Sequence, residues 1–180
     1  MKHVRGWFAL VIVGSGLLAV TPVEAFPPPN VWKNLADENY CLDIAGGSSS
    51  QGTNLVVFLC NGTLSQSWAG EPYPHDTSYD NYRSQLNTNL VFGVAAGSTN
   101  NGANLVTWPY NGSADQAWRP VFVSNDASGH QCFYFQNLKA KQAGLTRVAG
   151  VAGGVPNIKN GTNIILWDRN ASNDQVWCQY

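Results

Sequence analysis

Apolar residues fall in short runs separated by glycine, asparagine, serine and threonine, and nowhere does a long helical period appear. Leu55-Val56-Val57-Phe58-Leu59 is the clearest run. Side chains alternate across a strand, so Leu55, Val57 and Leu59 would face one way and Val56 and Phe58 the other, and both faces are apolar. The same pattern returns as Leu105-Val106-Thr107-Trp108 and Ile164-Ile165-Leu166-Trp167, with an aromatic three positions after the leading residue each time. Val31 to Leu35 and Tyr40 to Ile44 read as further extended segments, and Gly46 to Thr53 reads as a loop. Asn61-Gly62 and Asn111-Gly112 carry the composition of a tight hairpin turn and predict one after each aromatic.

These strands belong to a threefold repeat. Gln66-Ser67-Trp68, Gln116-Ala117-Trp118 and Gln175-Val176-Trp177 each close a similar segment. Sliding Ile44 to Trp68 forward by 50 positions onto Val94 to Trp118 needs no gap and matches Ala45, Gly47, Gly52, Asn54, Leu55, Asn61, Gly62, Gln66 and Trp68, among others. The third copy is reached by working back from Trp177 through Asn170, Trp167, Ile165, Asn163 and Gly161, and it carries extra residues around Gly150 to Pro156. The repeats span about 31–70, 81–120 and 132–180. A unit this small cannot bury its own apolar face and must associate with its siblings, so three copies predict a closed threefold body. Closure also removes the unpaired edges that an open sheet must protect.

The N-terminus changes the picture of where this body works. Lys2 and Arg5 precede an apolar stretch from Trp7 to Val20 and then Val23-Glu24-Ala25, which reads as a secretory signal cleaved after Ala25. The stretch is interrupted by Gly14, Ser15 and Gly16 and falls short of the ~20 residues of a spanning helix, so membrane insertion is not expected. Residues 26–180 are expected to form one secreted domain, extracellular or periplasmic. Charged residues make up only 12% of the chain and the net charge is −1, so no basic face attracts nucleic acid. In an exported chain the four cysteines are expected to form two disulfides, for which sequence allows three pairings. Cys41 and Cys60 bracket one repeat, whereas Cys132 leads into the third and Cys178 follows its tryptophan, so local pairing within each repeat is the expectation.

Cys41-Leu42-Asp43-Ile44, the Gly52-x-Asn54 turn, the apolar strand ending in an aromatic and the three Gln-x-Trp closures together resemble the ricin-type, or R-type, β-trefoil lectins and carbohydrate-binding modules. The resemblance covers about Trp32 to Tyr180. It implies an all-β fold of twelve strands, six in a barrel and six capping it as hairpins, with a sugar pocket in each repeat. A sugar presents hydroxyls that need aimed partners and one apolar ring face, so a carboxylate or amide beside an exposed aromatic suits it.

By that family pattern the first pocket consists of Asp43 as hydroxyl acceptor, Phe58 as stacking platform, and Ser65 and Gln66 as support. Ser65 departs from the asparagine or aspartate usual there, and Phe58 lacks the polar edge of tryptophan or tyrosine. In the second repeat Gly93 replaces the aspartate while Trp108, Asp115 and Gln116 remain, so weak binding or none is expected. The third repeat is read with Arg147 at the aspartate position beside Trp167, Asp174 and Gln175. Arginine cannot accept a hydrogen bond but suits an acidic sugar.

Trp68, Trp118 and Trp177 are expected in the core, with the neighbouring glutamines satisfying backbone groups. Asn61, Asn111, Asn160 and Asn170 head Asn-x-Ser/Thr sequons, and their recurrence is explained by turn geometry. His75 and His130 stand apart from any metal-ligand spacing or nucleophile motif, and the segment Glu71 to Asp80 reads as a solvated loop. The expectation is therefore a non-catalytic binder without metal or cofactor, whose partners are glycans or glycoconjugates. The alternative is a binding subunit that docks on a secreted partner or toxin component, for which the inserts Glu71 to Asp80 and Val121 to Gly129 offer surface.

Overall fold

The structure, a computed structural model, describes residues 29–180; the signal segment and the expected cleavage at Ala25 lie outside the described residues. Twelve strands run through these residues. The first repeat contains β1 (Asn30–Asn34), β2 (Asp37–Ile44), β3 (Leu55–Leu59) and β4 (Ser67–Pro72). The second contains β5 (Asp80–Ser84), β6 (Leu90–Val94), β7 (Ala103–Pro109) and β8 (Trp118–Asn125). The third contains β9 (Gln131–Asn137), β10 (Arg147–Val151), β11 (Thr162–Asp168) and β12 (Trp177–Gln179), with one short helix, α1 (Leu138–Gln142), after β9.

The first and last strand of every repeat form a ring: β1 pairs β4, β4 pairs β5, β5 pairs β8, β8 pairs β9, β9 pairs β12, and β12 returns to β1. Six antiparallel strands therefore close on themselves, and no barrel strand keeps a free edge. The middle strands form three hairpins, β2 with β3, β6 with β7 and β10 with β11, which meet one another through β3–β11, β7–β11 and a bridge from Asn54 to Val106. This is the β-trefoil.

The core lies where barrel and cap meet. Trp68, Trp118 and Trp177 are fully buried, and each indole Nε1 donates to a carbonyl of its own hairpin: Leu42 at 3.2 Å, Phe92 at 3.1 Å and Ala149 at 3.1 Å. A large apolar ring supplies the buried area, and its one polar atom finds a partner, which suits tryptophan to this position three times over. Trp32, Tyr82, Phe92 and Phe135 fill the centre, with Tyr82 stacked on Phe92 and edge-on contacts from Trp32 and Tyr82 to Phe135, both at 4.8 Å. Cys41 bonds Cys60 and Cys132 bonds Cys178, as local pairing within each repeat required.

Two local expectations need correction. The strands flanking Asn61-Gly62 are not a hairpin: β3 pairs with β2 and β11, whereas β4 pairs with β1 and β5. The dipeptide instead opens a wide turn. The Asn61 carboxamide oxygen accepts from the Thr63 backbone N–H at 3.1 Å, and Asn111 and Asn170 do the same for Ser113 and Ser172 at 2.9 and 3.0 Å. Asparagine is favoured there because its side chain mimics a backbone turn, which accounts for the recurring sequons.

The segment from Glu71 to Asp80 is a solvated loop at its tip, where Pro74 to Ser78 are exposed, but not along its whole length. Its ends extend β4 and β5, Tyr73 and Tyr79 are buried, and the Tyr73 hydroxyl donates to the Gly112 carbonyl at 2.8 Å. His75 packs edge-on to Tyr73. Likewise Val121 to Asn125 prolongs β8 into a hairpin with β9.

Candidate functional site

Each repeat brings a hairpin strand, an aromatic and a Gln-x-Trp turn to one place. The turn is fixed first. A single 3-10 turn (Leu64–Gln66, Ala114–Gln116, Asn173–Gln175) precedes each tryptophan strand. Its glutamine is buried and acts as a two-point clasp. Oε1 of Gln66 accepts from the Asn61 N–H at 2.9 Å and Nε2 donates to the Leu59 carbonyl at 3.0 Å. Gln116 holds Asn111 N–H and Pro109 carbonyl at 3.0 and 2.9 Å; Gln175 holds Asn170 N–H and Asp168 carbonyl at the same two distances. The glutamines thus serve backbone groups, as expected.

Three buried asparagines secure the same turns from the barrel side. Nδ2 of Asn34 donates to the Asp174 carbonyl at 2.9 Å, Asn81 to that of Gln116 at 2.7 Å, and Asn137 to that of Asp115 at 3.0 Å. Sequence reading missed them because each acts on a turn distant along the chain, Asn34 and Asn137 on a turn of another repeat and Asn81 on that of its own. Their only sequence signal is an asparagine in the first strand of each repeat, at its end for Asn34 and Asn137 and at its start for Asn81.

The exposed aromatics stand where the pattern placed them. Phe58, Trp108 and Trp167 are 37%, 43% and 42% exposed, whereas the other tryptophans among the described residues are buried. They occupy one register position, opposite Cys41, Val91 and Val148. Gly52 lies against the Trp108 ring and Gly102 against that of Trp167; a β-carbon would meet the ring edge at 3.5 and 3.9 Å. Both glycines adopt positive φ, +78° and +84°, so the Gly-x-Asn turn of one repeat supports the platform of the next.

The acceptor position differs between repeats. Asp43 stands opposite Val56, is 5% exposed, and receives Nε2 of Gln66 on Oδ2 at 2.8 Å; its Oδ1 is buried and has no partner among the described residues. Ser65 is turned to Thr63, with the two hydroxyls 2.9 Å apart. In the second repeat Gly93 stands opposite Val106, as expected.

In the third repeat the register overturns the placement of Arg147. Gly150, not Arg147, stands opposite Ile165 at the equivalent position. Arg147 lies three residues earlier, opposite Asp168, and its Nε binds that carboxylate at 3.0 Å. The chain repeats Val-Ala-Gly at Val148 to Gly150 and again at Val151 to Gly153, and a sequence match can lock onto either copy. Pairing with β11 selects the second. Gly93-Val94-Ala95 against Gly150-Val151-Ala152 is the signal that would have found it.

Open cavities lie at the second and third positions. One of 610 Å³ is bounded by Gly93, Trp108 and Asp115, and Lys139 of α1 reaches into it from the third repeat. Another of 430 Å³ is bounded by Gly150, Trp167, Asp174 and Gln175. Both lie in the range of pockets that hold small ligands. Arg147 does not border the latter.

A six-stranded barrel capped by three hairpins, each carrying an exposed aromatic at one register position, defines a β-trefoil. Residues 32–177 match the family model of the ricin-type β-trefoil lectin domain, and the chain belongs to that family of carbohydrate-binding lectins. Among solved structures it is similar to ThreeFoil, a designed threefold-symmetric protein, at 19% identity and a TM-score of 0.70, covering 84% of this chain and 96% of that one. It is similar to the C-terminal half of an earthworm R-type lectin in complex with GalNAc, at 18% identity and a TM-score of 0.60, covering 85% and 98%. It also matches an exo-β-1,3-galactanase from Clostridium thermocellum at 19% identity and a TM-score of 0.71, covering 87% of this chain but only 31% of that enzyme. No curated protein matches the chain.

Proposed function

We propose that the protein is a secreted, non-catalytic lectin that binds galactose-like or related glycans. The observation that carries this reading is an exposed aromatic in the same repeat as an inward-turned carboxylate: Phe58 with Asp43 and Trp167 with Asp174, both acids buried, and Trp108 with Asp115, half-buried. An apolar sugar face stacks on the ring, and its hydroxyls donate to the acid. In the first repeat the unpartnered Oδ1 of Asp43 supports the assignment, because a buried acceptor without a donor is held at a cost that a hydroxyl would relieve. Ser65 and Gln66 hold the turn behind it. The GalNAc bound by the earthworm lectin is consistent with a galactose-like specificity. Two disulfides suit an oxidising compartment, and among the described residues no helix is long and apolar enough to cross a membrane.

The test is a glycan array on residues 26–180, with free galactose as competitor and Asp43→Ala alongside. Binding that galactose displaces and that Asp43→Ala reduces is expected. A folded sample that binds nothing across a broad array refutes the lectin reading, and a signal unchanged by Asp43→Ala removes the first repeat from it. One observation favours a second reading, a subunit that docks on a secreted partner or toxin component. The prolonged β8–β9 hairpin presents Phe122 and Val123, 56% and 37% exposed, away from the sugar positions. Glycan binding that persists in Phe122→Ser while association with such a partner is lost would establish it.

A further inference from the structure

We propose that the end of the barrel remote from the hairpins is a separate binding site, which takes a small amino alcohol with its ammonium group on Asp80 and its hydroxyl oxygen on the indole N–H of Trp32. The site lies inside the barrel and shares no residue with the sugar positions, so it does not depend on the lectin reading.

Alternation along the six barrel strands sorts out the residues that face the lumen. Trp68, Trp118 and Trp177 close it on the hairpin side, where each is bonded to a hairpin carbonyl. Trp32, Tyr82 and Phe135 form the next layer and are buried as well. Two residues after the closing tryptophans the same faces carry Gly70, Pro120 and Gln179, and two residues before the second layer they carry Asn30, Asp80 and Phe133. All six are half-buried, and Phe122, two residues beyond Pro120, is exposed. The lumen therefore opens to solvent at this end. Ring contacts run continuously down its wall, Phe122 to Phe133 at 5.9 Å, Phe133 to Trp32 at 6.1 Å and Trp32 to Tyr82 at 5.8 Å, and the Tyr82 hydroxyl stands 3.5 Å from Oδ2 of Asp80.

Two groups in this lumen lack a partner, and they lack opposite ones. Trp32 is 2% exposed and its Nε1 has no acceptor among the described residues, whereas the indoles of Trp68, Trp118 and Trp177 each have one. A buried N–H without an acceptor is held at a cost. Asp80 forms no ion pair among the described residues, and its one side-chain hydrogen bond is the long contact with Tyr82. Burial pushes its carboxyl above the usual carboxylate range against the lowering effect of that bond, and a cation beside it would offset the cost of the buried charge. The cations next to the lumen residues on these strands face outward: Arg83 is held by Glu71 at 2.7 Å and Lys33 lies over the Tyr180 ring. A polyol would leave the charge of Asp80 unpaired, and a simple amine would leave Trp32 without an acceptor. An amino alcohol supplies both, and its ammonium gains further from the aromatic wall. Trp32 and Asp80 both adjoin Tyr82, so a molecule of a few heavy atoms reaches from one to the other.

NMR titration of residues 26–180 with 2-aminoethanol, read at the indole N–H signals, tests the proposal. The Trp32 signal should move downfield as it gains an acceptor, while those of Trp68, Trp118 and Trp177, already bonded, stay in place. Propylamine, which lacks the hydroxyl, and ethylene glycol, which lacks the charge, should each bind weaker by about tenfold or more, and Asp80→Asn should weaken 2-aminoethanol by as much. Unmoved signals from the other three core indoles would show that this variant keeps its fold; the comparison of the three compounds needs no variant and decides the matter where it does not. Short-chain phosphatidylethanolamine in the same titration separates the two sources of the group: a response to the lipid alone assigns a headgroup, and a response to 2-aminoethanol assigns the free compound. A Trp32 signal that moves with neither, that moves equally with ethylene glycol, or that responds unchanged in a folded Asp80→Asn overturns the proposal. Sugar bound at the hairpins should leave the Trp32 signal in place, so the failure of either reading leaves the other standing.

Discussion

The Gln-x-Trp glutamines make the same clasp three times, but the first has a further duty, and that difference can be measured. Gln116→Ala removes two hydrogen bonds to backbone groups, at 3.0 and 2.9 Å, from a side chain that is buried. At roughly 1 kcal/mol net for each bond, plus a little for the lost contacts of its methylenes, the expected cost is about 2–3 kcal/mol. Gln66→Ala removes the two equivalent bonds and also the 2.8 Å bond from Nε2 to Oδ2 of Asp43. Asp43 would then be left buried with neither oxygen partnered, since its Oδ1 already has none.

A hydrogen bond to a charged group contributes about 1.5–3 kcal/mol, so Gln66→Ala should cost about 4–5 kcal/mol. The assay is urea unfolding followed by tryptophan fluorescence, where an excess of about 2 kcal/mol displaces the midpoint by about 1 M. The Asp43→Ala background completes a double-mutant cycle. With the carboxylate gone, Gln66→Ala should cost no more than Gln116→Ala. Equal costs for the two single substitutions, or an excess that persists without Asp43, would refute the reasoning.

Three further outcomes are expected. Cys132 and Cys178 close a loop of 46 residues and Cys41 and Cys60 one of 19, so alanine pairs should cost about 4 and about 3 kcal/mol on the loop-entropy model; the reverse order in chemical unfolding would count against it. Ala96 holds φ of +53° where the first repeat has Gly46, so Ala96→Gly should stabilise by about 1 kcal/mol, and a loss of stability would show that the conformation carries no strain. Tyr180 and Asp126 form the third case. Burial works to raise the Asp126 carboxyl, but hydrogen bonds from Tyr180, His130 and Ser128 outweigh it and hold it well below the usual carboxylate range. Burial and the bonds to Asp126 and Glu38 push the Tyr180 phenol above its usual value. Stability from the lowered acid is present above the usual carboxylate range and lost as pH falls below it. Stability from the raised phenol is present below the usual tyrosine value and lost as pH rises past it. Tyr180→Phe should therefore destabilise most near neutral pH, with the gap narrowing toward both extremes; a gap independent of pH would contradict this.

Much of the architecture was legible because it repeats. Short apolar strands ending in an aromatic, three Gln-x-Trp closures and paired cysteines are local signals, and their recurrence multiplies their weight. Leu55, Leu105 and Ile164 mark equivalent strands, and all three are buried. The site was legible in part: Phe58, Trp108 and Trp167 stand exposed at one register position, and the first repeat joins Asp43 to Gln66. Three features escaped for physical reasons. Asn61-Gly62 has the composition of a two-residue hairpin, but closing the barrel sends β3 and β4 to different partners. The segment from Glu71 to Asp80 looks polar along the chain, but its tyrosines are buried against the second repeat. Arg147 was misplaced because a tripeptide occurs twice in succession, and only cross-strand pairing distinguishes the copies.

The sequence by itself determined that three equivalent units exist, which strands they contain, and which tryptophans fill the core. It could do so because alternation and turn chemistry act within a few residues of one another. Tertiary structure alone decided which acid meets which aromatic. Gly93 and Gly150 are absences along the chain, but in space each makes room for a carboxylate brought from a turn more than twenty residues onward. Lys139 enters a pocket of the repeat before its own. Such meetings depend on how the barrel closes and where each hairpin folds over it, and no local pattern encodes them.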